Sequence, residues 1–398
     1  MSELLREIGS IALFRGVRDK EPLKSLSEFL LKMGPGYSME DMIDSYGNFC
    51  SVLYELRPDC DLSAAIWDAL VDDMNPYLRF RIDSLTDPEQ VTRASTLLNL
   101  TAERELDLLT RIGNYTSYDF KNEMIYDGYL PDFRSSHIDF KKRYMNMMDH
   151  LTSKGYGIYA KYDFFMIRGG ELVPVTHPDP ISVDDLYCYE LQRNKVIDNT
   201  SAFCDGKAFS DVLLYGDAGT GKSSTVKSAA RLFFDKGVRL VQVPKSELET
   251  LQDTIDLLSE VPLKFIIFID DISFEADDDR ISGLKSVIEG AAAGGRKNVV
   301  IYATSNRRHM IKETFSSRQN EMHVTDTIAE QMSLSERFGL RILYEKPNKE
   351  TYLTIVRNLA KARGVKLPEE QLVASAEQFA IRGGGRSARI ARQFVESL

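Results

Sequence analysis

The sequence predicts an α/β protein in which a parallel sheet, covered by helices on both faces, lies between a mostly helical N-terminal region and a small C-terminal helical unit. Three observations lead to this prediction. Apolar residues recur at three- and four-residue spacing over residues 1–150. From about residue 181, strand-like and helix-like runs alternate, and after residue 346 the pattern becomes purely helical. Alternation of this kind is typical of a parallel sheet, because parallel strands need a crossover that usually contains a helix.

The N-terminal region, residues 1–150, is predicted to consist of amphipathic helices separated by prolines. A hairpin and linker segment, residues 151–180, is expected to follow, because the apolar period there changes to that of strands. The helices are predicted over Leu23–Leu31, Met39–Leu56, Ser63–Val71 and Val91–Ile112, with Pro58, Pro76 and Pro88 between segments. The hairpin strands are predicted over Gly157–Ile167 and Leu172–Val175, joined at Gly169-Gly170 and followed by the linker His177–Pro180.

Residues 181–346 are predicted to form the α/β domain, and residues 347–398 a helical lid. Ligands of such sheets bind beyond the carboxyl ends of the strands. The strands are predicted over Val212–Tyr215, Arg239–Val243, Phe265–Ile269, Val299–Thr304 and Leu340–Tyr344. The helices are predicted over Ser223–Phe234, Leu248–Leu258, Gly283–Ala292, near Leu334–Phe338, and in the lid over Lys349–Arg363, Pro368–Ile381 and Ser387–Leu398.

One loop carries the strongest functional signal in the chain. It follows the strand Val212–Tyr215, precedes a helix, and fits the pattern G-x-x-x-x-G-K-[ST] at every required position. Glycines let a backbone wrap a phosphate, and the loop N–H groups and the positive end of the helix then face the anion. Lys222 is expected to reach the outer phosphates of a nucleotide, and the Ser223 hydroxyl to bind Mg²⁺. The predicted phosphate-binding residues are Gly216, Asp217, Ala218, Gly219, Thr220, Gly221, Lys222, Ser223 and Ser224.

Two further strands end in polar residues at the same edge of the predicted sheet. The buried run Phe265–Ile269 is followed by Asp270 and Asp271. Asp270 is predicted to hold Mg²⁺ through a coordinated water, since Mg²⁺ keeps several waters and takes few protein ligands. Asp271 is the candidate for polarising the attacking water, and Asn306, after the next buried strand, for orienting that water.

Arginines near the C-terminus complete the predicted site. Arg337, in Ser335–Gly339, precedes the last strand, where an arginine commonly lies at a subunit edge and stabilises phosphoryl-transfer charge in the neighbouring site. Gly383-Gly384-Gly385 opens the last helix, and either Arg386 or Arg389 is expected to contact the γ-phosphate. Composition does not choose between these two.

Composition sets limits on the function. The chain has 398 residues and a formal net charge of -10, and its acidic excess lies in residues 1–180, which argues against a protein that coats nucleic acid. No apolar run approaches the roughly 20 residues needed to cross a bilayer, so no membrane span is expected. The N-terminus does not look like a secretory signal. Four scattered cysteines favour a reducing cytoplasm: Cys50, Cys60, Cys188 and Cys204.

These pieces, in this order, resemble the AAA+ ATPases over residues 181–398. More closely, the chain is similar to a bacterial family of predicted AAA+ ATP-binding proteins of unknown biological role. The resemblance implies ATP and Mg²⁺ as cofactors, a homo-oligomer, an adenine pocket that includes Leu186 and Tyr187, and a strand order with the Asn306 strand between the phosphate-loop and Asp270 strands. It rests on Tyr189–Arg193, Asn199-Thr200, Leu213–Gly216, Gly219–Ser224, Phe268–Asp271, Tyr302–His309 and Gly385–Ser387.

Three departures from this pattern bear on function. Asp271 stands where most AAA+ proteins have a glutamate, so its carboxylate reaches one methylene less far, and Glu275 is a candidate substitute. Cys188 stands where many relatives have glycine. The segment Val243–Leu248 lacks the aromatic-apolar-glycine pore loop of protein-threading members, which weakens an unfoldase interpretation.

Three interpretations remain open at this stage. The first is a Mg²⁺-dependent ATPase that drives conformational change in an oligomer, on a target the sequence does not identify. The second is a nucleotide-gated binding module with slow or no hydrolysis, which the shorter Asp271 favours. The third is a DNA-associated loader, for which Arg307-Arg308-His309 and the basic residues of Arg382–Arg392 supply local positive charge.

Overall fold

The structure, a computed structural model, describes residues 2–86, 94–180, 182–183, 186–272, 284, 287–288, 297–306 and 334–398. The chain divides into two compact units, Met1–Lys161 and Tyr162–Leu398. Most of the predicted helix Gly283–Ala292 lies outside the described residues, as do Glu275 and the segment Arg307–His309.

The N-terminal unit is built from helices, in agreement with its apolar periodicity. The predicted helix Met39–Leu56 is present with these bounds. The described helices are α1 Ser2–Ser10, α2 Arg15–Arg18, α3 Leu23–Lys32, α4 Met39–Leu56, α5 Leu62–Val71, α6 Pro76–Thr86, α7 Ala94–Gly113, α8 Ser117–Met124, α9 Phe140–Asp149, α10 Leu151–Lys154 and α11 Ile158–Lys161.

Helix α4 shows how local sequence sets these bounds. The Ser38 hydroxyl accepts a hydrogen bond from the Asp41 N–H (3.1 Å), and the Asp41 carboxylate accepts one from the Ser38 N–H (3.0 Å). This reciprocal capping satisfies N–H groups at the helix start. At the other end Arg57 is extended and Pro58 follows, so the helix cannot continue. Its inward face, which includes Phe49, joins an apolar core shared by the helices of this unit.

The hairpin consists of β1 Phe164–Arg168 and β2 Glu171–Pro174, which pair antiparallel. The prediction that its first strand begins at Gly157 was wrong, because Ile158–Lys161 is a helical turn. Gly157 is in a left-handed conformation (φ 54°), which interrupts an extended run, and the turn that follows buries Tyr159. The hairpin extends the central sheet, since β1 pairs parallel with a strand of that sheet.

Within the described residues, the C-terminal unit contains one seven-stranded sheet in the order β2-β1-β4-β5-β6-β3-β7. Apart from the hairpin, the paired strands run parallel. Strand β6 lies between β3 and β5, as the family resemblance implies, so the carboxyl ends of these three strands are adjacent. The remaining strands are β3 Val212–Gly216, β4 Val238–Gln242, β5 Lys264–Ile269, β6 Val299–Ser305 and β7 Leu340–Tyr344.

The helices of the C-terminal unit follow the predicted alternation with small shifts at their ends. The helix predicted from Leu248 starts at Leu251, because Lys245–Thr250 forms a 3₁₀ segment before it. The last three helices pack into a separate apolar core and form the lid. The labelled helices are α12 Glu190–Cys204, α13 Lys222–Arg231, α14 Leu251–Ser259, α15 Lys349–Ala362, α16 Glu369–Arg382 and α17 Ala388–Glu396. Among the helices described in either unit, none has both the length and the apolar character of a membrane span.

Candidate functional site

The loop between β3 and α13 has the curvature that its glycines predict. Gly216, Gly219 and Gly221 have φ values of 128°, 75° and 97°, a region that other residues rarely adopt. A Cβ atom at Gly216 would lie 2.1 Å from the carbonyl oxygen of Tyr344 in β7, so glycine is also needed for close packing. Helix α13 begins at Lys222, and its first N–H groups therefore face the loop.

Lys222 lies beneath this loop and is nearly inaccessible, with 5% of its surface exposed. Its Nζ donates hydrogen bonds to the carbonyl oxygens of Gly216 (3.1 Å) and Asp217 (2.6 Å). Burial lowers the pKa of the Lys222 ammonium to about 8, and the nearby carboxylates Asp217, Asp271 and Asp270 oppose this shift. The loop therefore holds a desolvated cation against its own backbone, next to the start of α13.

Ser223 and Asp270 meet beside this cation. The Ser223 hydroxyl donates to Asp270 Oδ1 at 2.6 Å, although Ser223 lies in α13 and Asp270 follows β5, 47 residues later in the chain. Thr304 of β6 donates its hydroxyl to the same Oδ1, also at 2.6 Å. Asp270 is thus fixed by two hydroxyl donors, one from helix α13 and one from strand β6.

Asp271 is oriented through the same threonine. Its backbone N–H donates to Thr304 Oγ1 at 2.8 Å, and its Oδ1 accepts a hydrogen bond from Asn306 Nδ2 at 2.6 Å. The Lys245 ammonium lies 4.0 Å from Asp271 Oδ2. Asp271 has a left-handed backbone (φ 55°), and about half of its side chain is exposed. Its carboxylate is therefore held at the surface of the cavity beside Asn306.

The site opens into a cavity of 490 Å³ between the sheet edge and the lid. The lid contacts the phosphate loop directly, because the Arg389 N–H donates to the Gly219 carbonyl at 3.1 Å. Residues 219–225 line the cavity together with Asp270, Asp271, Thr304 and Asn306; Gly216, Asp217 and Ala218 form the preceding part of the loop and are not among the described lining residues.

The two candidate lid arginines have different positions. Arg389 lines the cavity, whereas Arg386 is not among the described residues that do so. Arg386 instead pairs with Glu377 through two hydrogen bonds of 3.0 and 2.6 Å. This geometry favours Arg389 as the residue that faces a bound ligand.

The segment before α12 forms another wall of the cavity, to which Leu186 and Tyr187 contribute as expected. Cys188 follows with a left-handed backbone (φ 65°), a conformation that glycine adopts more readily than other residues. The Tyr189 ring stacks on Tyr344 with ring centroids 5.3 Å apart. Arg193 donates to the Leu186 carbonyl, and its buried Nε has no hydrogen-bond partner among the described residues.

Arg337 lies apart from this constellation. It belongs to the helical segment 334–337, is partly buried, and is not one of the described residues that line the cavity. The structure therefore does not bring Arg337 together with the other predicted site residues within one chain.

Thr304, Arg392 and Arg193 are among the residues of the cavity wall that were not predicted as site residues from the sequence. Thr304 precedes Asn306 by two residues, and residues at this spacing on a strand lie on one face. Arg392 follows Arg389 by three residues and shares its helix face. These spacings could have identified both residues. Arg193 belongs to the segment Tyr189–Arg193, which carried the family resemblance without indicating a role for Arg193 in the site.

The side chains fit the groups that such a loop implies. Ser223 and Asp270 supply hard oxygen ligands of the kind that Mg²⁺ prefers, and Lys222, Arg389 and Arg392 supply positive charge for phosphates. No group of three or more His, Cys, Asp or Glu side chains suited to a metal ion occurs in the described part of the chain. Waters and phosphate oxygens would therefore complete the coordination of a magnesium ion here.

The strand order, the phosphate loop at the end of β3 and the lid that contacts it give the chain an α/β P-loop fold, in agreement with the fold that its resemblance to the AAA+ ATPases predicts. Residues 160–398 match the family described as "Protein of unknown function (DUF815)", and the chain belongs to this family.

Solved structures with a similar fold include RuvB of Thermotoga maritima. A point variant of that protein is 17% identical, with a TM-score of 0.37 over 55% of this chain and 63% of that chain, which is less than two thirds of its length. The structure titled as the Thermotoga maritima RuvB Holliday junction branch migration motor is 15% identical, with a TM-score of 0.34 over 55% of this chain and 72% of that chain. A comparison with functionally curated proteins finds no match.

Proposed function

We propose that this protein is a Mg²⁺-dependent ATPase that hydrolyses ATP to ADP and phosphate and couples hydrolysis to conformational change in an oligomer. One observation carries the proposal. A chain of hydrogen bonds runs from Ser223 through Asp270, Thr304 and Asp271 to Asn306, so that residues of α13, of β6 and of the segments that follow β5 and β6 form one network beside the phosphate loop.

Binding of ATP rests on the buried cation and the lid. The Lys222 ammonium and the loop N–H groups would bind the outer phosphates, and Arg389 would reach them from the lid. Ser223 and Asp270 would hold the magnesium ion, which supplies neutralisation of the phosphate charge. Arg193 and the Leu186–Tyr189 segment would contact the nucleoside.

Hydrolysis rests on Asp271 and Asn306. Asp271 would accept a hydrogen bond from the attacking water and polarise it, and the Asn306 amide would orient that water toward the γ-phosphate. The 2.6 Å contact between these two side chains supports a shared task, because both can reach one water molecule only if they lie close together.

Arg337 would act on the site of a neighbouring subunit. Its position away from the described lining of its own cavity supports a role in trans, in which it stabilises the charge of the transition state. The proposed enzyme is therefore active only as an oligomer.

The alternative is a nucleotide-gated binding module that hydrolyses ATP slowly or not at all. The contact of Asp271 with Asn306 favours this alternative in one respect, since Oδ1 already accepts a strong hydrogen bond and is less available to a water. In this case ATP binding alone would change the arrangement of the lid.

The test is steady-state ATP turnover with Mg²⁺ over a range of protein concentrations, with ATP binding measured separately by calorimetry. Specific activity should rise with concentration. Lys222→Ala should abolish binding, whereas Arg337→Ala should retain binding and lower turnover by roughly 10³-fold or more. Arg341→Ala removes an exposed arginine four residues away and serves as the matched control.

Mixing the two inactive variants gives a sharper result. If Arg337 acts in trans, the Lys222→Ala subunit supplies its arginine to the intact phosphate loop of the Arg337→Ala subunit, and part of the activity returns. No recovery in mixed oligomers would exclude the role in trans. ATP binding without phosphate release at any concentration would replace the ATPase by the nucleotide-gated module, and ATP binding by Lys222→Ala at wild-type affinity would refute the site.

A further inference from the structure

The N-terminal unit contains a cavity of 480 Å³, a volume within the range of small-molecule sites. One wall is a stripe of α5 formed by Ala64, Trp67, Asp68 and Val71, at helical spacing. The facing wall comes largely from α9, with Arg143, Asn146 and Met147 at the same spacing. Apolar side chains thus form much of the lining, and the charged side chains Asp68 and Arg143 lie on its two facing walls.

A stack of three planar side chains organises one side of this cavity. The Arg143 guanidinium lies over the Trp67 ring, 4.3 Å from the ring centroid. Trp67 stacks in turn on Phe140, which is fully buried, with centroids 6.3 Å apart and planes inclined by 25°. A guanidinium placed over an aromatic ring is attracted to the face of that ring, and its N–H donors lie in the guanidinium plane, where an acceptor can reach them. The contact with Trp67 therefore holds Arg143 at the cavity wall, where its planar group can bind an acceptor through two hydrogen bonds.

The carboxylates near the cavity already have partners, which are cations for Asp68 and Asp72 and a backbone N–H for Asp139. Asp68 accepts from Arg57 at 2.9 Å, and Asp72 pairs with Lys161 at 2.7 Å. Asp139, one turn before Arg143, caps its own helix by accepting from the Lys142 N–H at 2.9 Å. Among the described residues, no carboxylate forms an ion pair with Arg143 within 4.0 Å.

The cavity around Arg143 is basic, although the N-terminal unit that contains it is acidic overall. Residues 1–161 carry 26 acidic and 19 basic side chains, so the unit as a whole repels anions. Among the described residues that line the cavity, by contrast, the single acidic side chain, Asp68, is paired with Arg57, and Lys154 adds a further basic side chain. A local positive site with apolar walls selects a ligand that has a single anionic head and an apolar body.

We propose that this cavity binds an organic carboxylate, whose head is held by the in-plane donors of Arg143 and whose apolar body contacts Trp67, Val71 and Met147. Two sources share this chemistry, a short fatty acid and the free C-terminus of an apolar peptide. The site is independent of the ATP site, so its failure would leave the proposed ATPase untouched.

The full-length protein carries its own reporter, because Trp67 is the only tryptophan in the chain. Tryptophan fluorescence, excited where tyrosine does not absorb, is followed during titration with octanoate and with N-acetyl-leucyl-leucine. The uncharged counterparts are octanol and N-acetyl-leucyl-leucinamide. At least one carboxylate should give a saturable change, and its neutral counterpart should bind at least tenfold more weakly. The carboxylate that binds with the higher affinity shows whether the natural ligand is a short fatty acid or the C-terminus of an apolar peptide.

Arg143→Gln should weaken carboxylate binding roughly 10- to 100-fold, as expected for loss of a charge-assisted bidentate contact. The carboxylate affinity of Arg143→Lys should lie between those of the wild type and Arg143→Gln, since lysine keeps the positive charge but cannot form two parallel hydrogen bonds. Arg79→Gln, at an exposed arginine of α6, is the matched control and should bind as the wild type does. Equal binding of charged and neutral probes, no saturable change with any probe, or unchanged binding by a folded Arg143→Gln protein would each overturn the proposal.

Discussion

The Thr304→Val substitution removes a hydroxyl group that forms hydrogen bonds with both Asp270 and Asp271 of the candidate site, and it nearly keeps the volume of the side chain. Thr304 is 1% exposed, donates to Asp270 Oδ1 at 2.6 Å and accepts from the Asp271 N–H at 2.8 Å. A hydrogen bond to a charged acceptor contributes about 1.5–3 kcal/mol, and a neutral one about 1 kcal/mol. Because Asp270 keeps its bond from Ser223, we expect Thr304→Val to lower the free energy of unfolding by about 2–3 kcal/mol.

The functional effect should separate binding from hydrolysis. Lys222 does not contact Thr304 in any described hydrogen bond, so ATP affinity should change little. Asp271 loses one of the two contacts that fix its backbone, the bond from its N–H to Thr304 Oγ1, and a displacement of about 1 Å at a catalytic group lowers turnover roughly 100-fold. We therefore expect a loss of turnover of about 10- to 100-fold at nearly constant affinity.

Thr304→Ser is the matched control, because it keeps the hydroxyl and loses one methyl group, at a cost of about 1 kcal/mol. Thermal unfolding, ATP turnover and hydrogen exchange of the peptide that contains Asp271 are the three measurements. Exchange should accelerate in Thr304→Val and remain slow in Thr304→Ser. If the two variants have equal stability, exchange and turnover, the hydroxyl does not organise the site and the reasoning fails.

Three further predictions concern other parts of the chain. Ile125 is 89% exposed and left-handed (φ 45°) at the end of α8, so Ile125→Gly should raise the free energy of unfolding by about 1 kcal/mol, with Ile125→Ala between the two in denaturant titrations. Burial raises the pKa of Asp73, whose Oδ2 has no described partner. The folded state therefore holds this proton more tightly than the unfolded state, and stability is lost as pH rises through the folded pKa. Asp73→Asn should stabilise the protein at neutral pH by about 1 kcal/mol, and urea titrations followed by tryptophan fluorescence should show this gain disappearing in acid. Arg389→Ala should weaken ATP binding about tenfold in calorimetry, whereas Arg386→Ala should bind as the wild type does.

Much of the fold follows from local pattern. The five-residue apolar run Phe265–Ile269 can be satisfied only where both faces of a strand are buried, and it lies within β5 at the centre of the sheet. The wrong prediction of a strand beginning at Gly157 also has a physical cause. Alternating apolar residues match a strand, but Gly157 donates its N–H to Val71 of a distant helix at 3.0 Å, and this contact is not encoded in the neighbouring residues.

The candidate site likewise contains residues that local sequence predicts and residues that depend on distant contacts. The phosphate loop is a local structure, so its glycines, Lys222 and Ser223 can be recognised from spacing alone. The choice between Arg386 and Arg389 depends on how the lid helix meets the loop, and the contact that decides it joins Arg389 to Gly219 across 170 residues. Thr304 is an intermediate case. The sequence predicts which face of the strand it occupies, but not its hydrogen bonds with Asp270 and Asp271.

The departure at Asp271 has a physical explanation in its backbone. Its φ of 55° lies in the left-handed region, which aspartate adopts more readily than glutamate because its short side chain can hydrogen-bond locally. This conformation is fixed on both sides, by the Asp271 N–H to Thr304 Oγ1 at 2.8 Å and by the Ile272 N–H to the Thr304 carbonyl at 2.6 Å. The turn carries the carboxylate to within 2.6 Å of the Asn306 amide without a second methylene. In the proposed mechanism, the backbone thus supplies the reach that a glutamate side chain would supply from an unstrained position.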